Sequence, residues 1–161
     1  MSRKFEKITK KQFIKDTKLS EQEYNSYSIP KRSTKHSAGY DFEIIKPFIL
    51  KPNESKLIPT GIKADMNEDE VLLLFIRSSL GFKYNIRLCN QTGIIDKDYY
   101  NNPDNEGHIF IKIKNEGQET KEFKQKENFA QGIFIKYLTT DNEKEVTKTR
   151  KGGIGSTNDK H

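Results

Sequence analysis

Five groups of polar residues have the types and spacing for phosphate and base chemistry. Asp41 follows Ala38-Gly39-Tyr40, where a glycine ahead of an apolar run lets the backbone turn tightly. Arg77-Ser78-Ser79 follows the run 71–76, and a guanidinium fork beside two hydroxyls suits a phosphate. Asn90, Gly93, Asp96 and Tyr99 recur at three-residue steps within Asn90-Gln91-Thr92-Gly93-Ile94-Ile95-Asp96-Lys97-Asp98-Tyr99. That stretch predicts a hairpin that brings an amide, an acid and an aromatic ring together. Gln131 lies inside the apolar run 129–135, where an uncharged amide needs a hydrogen-bond partner when buried. From Arg150 onward, Gly152, Gly153 and Gly155 form a strip whose N–H groups can wrap phosphate oxygens. Three of them have plainer readings: a polar strand end for Arg77-Ser78-Ser79, a turn aspartate for Asp96 with a core aromatic for Tyr99, and a frayed terminus for the glycine strip.

The elements that must hold these groups are mostly short strands. Candidate strands are 42–45, 56–59, 71–76, 86–89, 108–114 and 132–138, separated by turn residues such as Lys51-Pro52-Asn53-Glu54 and Glu116-Gly117-Gln118. With little helix between them, they predict an antiparallel sandwich or barrel. Ahead of them, Phe5, Ile8, Phe13 and Ile14 lie among lysines, with no Gly or Pro before Tyr24. This predicts an amphipathic helical prelude, and Ser20 with Glu23 has capping-box spacing. Pro30 ends it.

Composition narrows the class. The 161 residues suffice for one domain, and ten Phe with seven Tyr argue against disorder despite 32% charged residues. No apolar run approaches the ~18 residues of a membrane span, and the opening Met-Ser-Arg-Lys-Phe-Glu-Lys has no leader-like apolar stretch. The single Cys89 excludes an intrachain disulfide or a Cys-rich zinc site; His36, His108 and His161 lie far apart. A reducing, cytoplasmic setting follows. Residues 1–36 hold ten Lys/Arg against four Asp/Glu, so the whole net charge of +6 sits there. Nucleic-acid binding usually spreads basic and aromatic residues over a face. A solvated helical face is the preferred reading of this excess.

Taken together, the five groups resemble the trimeric all-β dUTPase family (deoxyuridine triphosphate nucleotidohydrolases). The matching segments are Ser37-Ala38-Gly39-Tyr40-Asp41-Phe42, Arg77-Ser78-Ser79-Leu80-Gly81-Phe82-Lys83, Asn90 through Tyr99 resuming at Glu106-Gly107, Phe129-Ala130-Gln131, and Arg150-Lys151-Gly152-Gly153-Ile154-Gly155-Ser156-Thr157. The resemblance implies a jelly-roll-like β-barrel or sandwich (29–148) with a basic helical N-terminal extension (1–28) and a flexible C-terminal arm (149–161). It also implies a homotrimer whose active sites are shared between subunits, with the Asp41, Arg77 and Gln131 groups from one subunit, the Asn90–Tyr99 hairpin from a second and the C-terminal arm from a third.

The activity implied is cleavage of dUTP to dUMP and pyrophosphate by water attacking the α-phosphorus. By resemblance, Asp96 activates that water. Arg77, Ser78, Ser79, Gln131, Arg150 and Ser156 hold the phosphates. Asn90 reads the uracil with backbone groups at Gly93, Ile94 and Ile95, and Tyr99 lies beneath the deoxyribose. Phe110 and Ile154 border the base. The implied cofactor is Mg²⁺, carried by the triphosphate and waters without a direct protein ligand; Asp41 supports the phosphate site or a metal-bound water.

The chain departs from the family pattern at four places: Ile76 for a common proline, Asn128 for a common arginine, six residues at 100–105 where one is usual, and Ile154 for the arm aromatic. Lys126 or Lys136 is a candidate substitute for the missing arginine. The 100–105 insertion reads as a longer loop or as a contact surface for a protein partner. The basic N-terminus packs on the β domain or binds an acidic surface. A nucleotide-sensing regulator of the same fold and a dCTP deaminase-type relative are the competing readings. An isoleucine covers a base without ring stacking, typically ~0.5–1.5 kcal/mol. Ile154→Phe is therefore expected to lower the Michaelis constant for dUTP in a steady-state assay, unless His108 or Phe110 already supplies a ring.

Overall fold

Short runs of alternating burial dominate the chain, and a computed structural model describes residues 3–155. In chain order the elements are β1 (Lys4–Lys7), α1 (Lys10–Thr17), α2 (Glu21–Ser26), β2 (Tyr40–Glu43), β3 (Phe48–Leu50), β4 (Ser55–Pro59), β5 (Ile62–Asp65) and β6 (Glu70–Ile76). There follow α3 (Ser78–Tyr84), β7 (Ile86–Leu88), β8 (Gly93–Ile95), one 3-10 turn (Lys97–Tyr99), β9 (Phe110–Asn115), β10 (Lys121–Phe123) and β11 (Asn128–Lys136). All strand pairings are antiparallel: β2-β11-β6-β8, β4-β9-β7, β1-β5 and β10-β3. The sheets enclose one apolar core and do not close into a continuous barrel. Phe42, Leu72, Leu74, Ile111, Ile113, Phe123 and Phe129 are among its fully buried members.

All six expected strands are present, with ends shifted by a few residues. The sequence reading missed β3, β5 and β10, which have three or four residues and too few periods to register. It also missed α3, which starts directly after Arg77.

The N-terminal prelude differs most from expectation. Lys4–Lys7 is a strand, with Phe5 opposite Ala64 on β5, so its edge is paired and Phe5 turns inward. The helical part begins only at Lys10, where Thr9 accepts a hydrogen bond from the Gln12 N–H. The Ser20–Glu23 capping box is present at the start of α2. Phe5, Ile8, Phe13 and Tyr27 all belong to the common core. Phe13 packs on Tyr24 and Tyr27, with ring centroids 5.4 and 5.7 Å apart. Lys7 lies 4.1 Å over the Tyr27 ring and donates to the Tyr24 carbonyl; burial holds its pKa below the ordinary value. Lys7 thus packs on rings of its own N-terminal segment, while its strand pairs with β5.

Glu70 closes the other end of this segment. Its carboxylate is 2% exposed and accepts from Arg3, from the Asn67 side chain and from the Asn67 backbone N–H. The Arg3 hydrogen bond, followed by those from Asn67, pulls the Glu70 pKa from 4.5 to about 2 despite desolvation. A depressed carboxylate pKa stabilises the folded chain fully above its unfolded value, and the gain is lost as pH falls through the folded value. Melting temperature should therefore fall as pH drops from about 5 towards 2, and Glu70→Gln should flatten that slope in acid thermal melts.

Candidate active site

The ladder of β11 assembles the first group of polar side chains. Gln131 lies opposite Asp41 on β2 and opposite Phe75 on β6, so the acid and the amide share one end of the sheet. One residue past β6, the Arg77 N–H donates to the Phe129 carbonyl, which fixes the start of α3 against β11. The side chains of Arg77, Ser78 and Ser79 are exposed there. Gln131 Nε2 donates to the Ile76 carbonyl at 3.4 Å. Gly39 packs so closely on Gln131 that a Cβ would fall on its Oε1 atom. The glycine before Asp41 thus leaves room for this close approach, and its backbone makes no turn there.

A cavity of about 280 Å³ gathers the second group. Asn90, Gly93, Ile94, Ile95, Tyr99 and Phe110 line it together with Asp96, Arg150 and Ile154. The expected hairpin is corrected here: its arms diverge. β7 pairs with β9, while β8 pairs with β6. The turn between them uses Gln91 at φ +63° and a Thr92 N–H to Asn90 carbonyl bond of 2.7 Å. Gly93 permits the crossing, since a Cβ there would approach Leu74 Cβ to 2.9 Å.

Tyr99 is 6% exposed, donates to the His108 carbonyl at 2.6 Å and accepts from Asn105 Nδ2 at 2.9 Å. Burial raises its pKa above the ordinary phenol value. It is both a core aromatic and a wall of the cavity. The Phe110 ring supplies the aromatic surface that Ile154 lacks, and the Ile154 side chain remains largely exposed. Asp96 is half exposed, and Arg150 bridges it to Asp98, with Nη2 3.0 Å from Asp96 Oδ2 and Nε 2.9 Å from Asp98 Oδ1. The same guanidinium lies 5.7 Å from the Tyr99 ring centre. Asp98 was not singled out from sequence, although an acid two residues beyond Asp96 was the available signal. Ser156 lies outside the described residues.

Neither Asp41, Arg77, Ser78, Ser79 nor Gln131 lines this cavity. The expected site residues thus fall into two separate groups on one chain. The arm lies over the hairpin segment of its own chain, where the Asp96–Asp98 pair attracts Arg150 and Asp104 accepts the Gly153 N–H at 3.2 Å. Lys136 does not replace the missing arginine at 128: it sits at the far end of β11 and pairs with Asp69 at 2.8 Å.

Residues 100–105 are bound within the chain. Asn102 is buried, donating to the Tyr99 carbonyl and accepting from the Asp104 and Asn105 N–H groups. Tyr100 donates to Glu6, and Lys63 to Asn101. Among the described residues no three His, Cys, Asp or Glu side chains are grouped to hold a metal ion, and no helix is long and apolar enough to cross a membrane.

The dUTPase family model matches residues 25–158. The chain belongs to the dUTPase family. It is 49% identical over 131 residues to the deoxyuridine 5'-triphosphate nucleotidohydrolase of Lactococcus lactis subsp. lactis, covering 81% of this chain and 87% of that one. It is 34% identical over 133 residues to the nucleotidohydrolase of the same name from Nautilia profundicola, covering 80% and 89%. The crystal structure of dUTPase from Streptococcus mutans superposes with a TM-score of 0.69 at 40% identity, over 86% of this chain and 99% of that one. A mutant dUTPase of S. aureus phage phi11, solved to show coordination of a structural Mg(II) ion, shares the fold: TM-score 0.67, 20% identity, 92% and 98% coverage. The fold of this dUTPase is accordingly the all-β, jelly-roll-like one.

The Gly39–Gln131 contact makes a separable prediction. The atom that a new Cβ would displace is the end of a flexible side chain, so Gly39→Ala should fold with little change in melting temperature. Pyrophosphate release from dUTP should nevertheless drop roughly tenfold as the Gln131 amide swings aside.

Proposed function

We propose that this dUTP diphosphatase, which hydrolyses dUTP to dUMP and pyrophosphate, does so in sites that pair the cavity of one subunit with the Asp41–Arg77–Gln131 group of another. The observation that carries the reading is the placement of Asp96. Its half-exposed carboxylate lines a cavity together with the Asn90–Ile95 segment and two aromatic rings, beside the Arg150 guanidinium. A homotrimer supplies the pairing that one chain lacks. The same reading places the enzyme in a reducing cytoplasm, where Cys89 remains a thiol.

In this mechanism the uracil enters the cavity, and the Asn90 amide with the backbone at Gly93, Ile94 and Ile95 pairs with its polar edge. The Phe110 ring lies along the base and Ile154 covers it. Tyr99, fixed by its two hydrogen bonds, lies beneath the deoxyribose and leaves no room for a 2′-hydroxyl. A buried polar edge built for one base rejects others more strongly than an apolar pocket of similar size. Asp96 accepts a proton from the water whose oxygen bonds to the α-phosphorus. The bond from that phosphorus to its bridging oxygen breaks, and pyrophosphate leaves with the electron pair. Arg150 exchanges its carboxylate partners for the more highly charged phosphates, which frees Asp96 to work as a base. Arg77, Ser78, Ser79 and Gln131 from the neighbouring subunit, with Ser156 of the arm, stabilise the charge developing on those oxygens.

The Mg²⁺ implied by the family fits this chain as an ion carried by the triphosphate: Asp41 is a single half-buried carboxylate suited to hold one of its waters. Bound there, the ion supplies charge neutralisation of the leaving pyrophosphate. The bonds from residues 100–105 to Glu6, Lys63 and Gly153 favour an internal clasp over a docking surface for another protein.

Two measurements test the reading. With Mg²⁺ present, pyrophosphate release should be confined to dUTP among dUTP, dTTP, dCTP and UTP, and Asp96→Asn should lower it by at least ~100-fold. Asp96→Asn and Arg77→Ala chains, each inactive alone, should regain activity when co-refolded, because mixed trimers rebuild an intact site. Inactivity of the mixture with mixed trimers present would place the whole site in one chain.

A further inference from the structure

His108 is a fully buried histidine that the reaction above does not use. The Gly61 N–H donates to its Nε2 atom at 2.9 Å, so the ring proton sits on Nδ1 and points at Asp16 Oδ2, 2.7 Å away on α1. Burial favours this neutral form over the imidazolium. Gly61 is itself gripped from the other side, its carbonyl accepting from the Ile8 N–H and the Tyr27 hydroxyl. The imidazole is thus held at both nitrogens and cannot rotate without orphaning a buried donor.

What His108 holds in turn is the nucleotide cavity. Its carbonyl accepts the Tyr99 hydroxyl at 2.6 Å. Its ring packs on Phe110 with centroids 4.2 Å apart. Tyr99 and Phe110 are the two aromatic walls of the cavity. Asp16 lies outside the stretch matched by the family model, and outside the cavity. It reaches the cavity through one hydrogen bond.

We propose that Asp16 is a positioning residue for nucleotide recognition: by fixing the His108 imidazole, it sets Tyr99 and Phe110 against the sugar and base. The proposal rests on the reading of this cavity as the deoxyuridine pocket. Asp16 touches neither substrate nor the reacting phosphorus, so its loss acts on binding and selectivity before turnover. An asparagine at this position retains an acceptor oxygen for the Nδ1 proton, whereas an alanine leaves that buried proton unpaired.

The experiment compares the full-length wild-type enzyme with Asp16→Ala and Asp16→Asn in steady-state hydrolysis of dUTP and UTP. Asp16→Ala should raise the Michaelis constant for dUTP about tenfold with kcat within about twofold, and should narrow the dUTP-over-UTP preference by a similar factor. Asp16→Asn should recover most of both losses. A purely structural role would lower the active fraction, and hence kcat, equally for both substrates and leave the preference intact; that result overturns the proposal. So does an unchanged Michaelis constant and preference in Asp16→Ala. If Asp16→Ala yields no folded enzyme, Asp16→Glu, which moves the carboxylate, should give an intermediate rise; its absence, with the His108 ring resonances displaced in NMR spectra, is equally fatal. A wild type that does not prefer dUTP over UTP would instead refute the pocket reading.

Discussion

β11 is hydrogen-bonded along both edges, to β2 on one side and to β6 on the other, and each ladder fixes the register of the other. A slip of one residue would turn every side chain of the strand to the opposite face. It would carry Gln131 away from Asp41 and disturb the buried Phe129 and Ala130. The same strand anchors the start of α3 through the Phe129 carbonyl, and so determines where Arg77, Ser78 and Ser79 emerge. β6 passes that register on to β8, with Leu74 against Gly93 and Leu72 against Ile95, which places the cavity wall. Gln131, the start of α3 and β8 therefore all take their positions from one doubly paired strand.

The polar groups were legible because their chemistry is local. An arginine followed by two serines at a strand end, or an acid three residues before a tyrosine, keeps its meaning over a few residues. The long strands were legible for the same reason, since β6 and β11 offer enough residues for an apolar pattern to register. What could not be read is set by distant pairing. Phe5 and Ile8 have a helix-like spacing, yet β5 presents an edge that Lys4–Lys7 fills as a strand. The segment after Asn90 has the residues of a hairpin, yet its arms find better partners in separate sheets. His108 reads as one of three scattered histidines until α1 brings Asp16 beside it.

Asp96 and Arg150 bring opposite charges to the lining of the cavity. Asp96 and Asp98 repel one another, and Arg150 between them offsets that repulsion while packing near Tyr99. The two carboxylates are half in water although the guanidinium is mostly covered, and ion pairs with exposed partners are weak and exchangeable. A polyanion competes well for the same guanidinium. Electrostatics alone therefore leaves the Arg150 contact with Asp96 and Asp98 open to exchange.

The pairing of β1 with β5 has a consequence for how the chain is made. β1 is synthesised before β5 and finds its partner edge only after β5 has followed, and Arg3 meets Glu70 later still. Closing so long a loop is slow compared with local structure formation. During synthesis the basic N-terminal segment is thus a waiting strand, and its completed ladder is a late mark of a correctly built molecule.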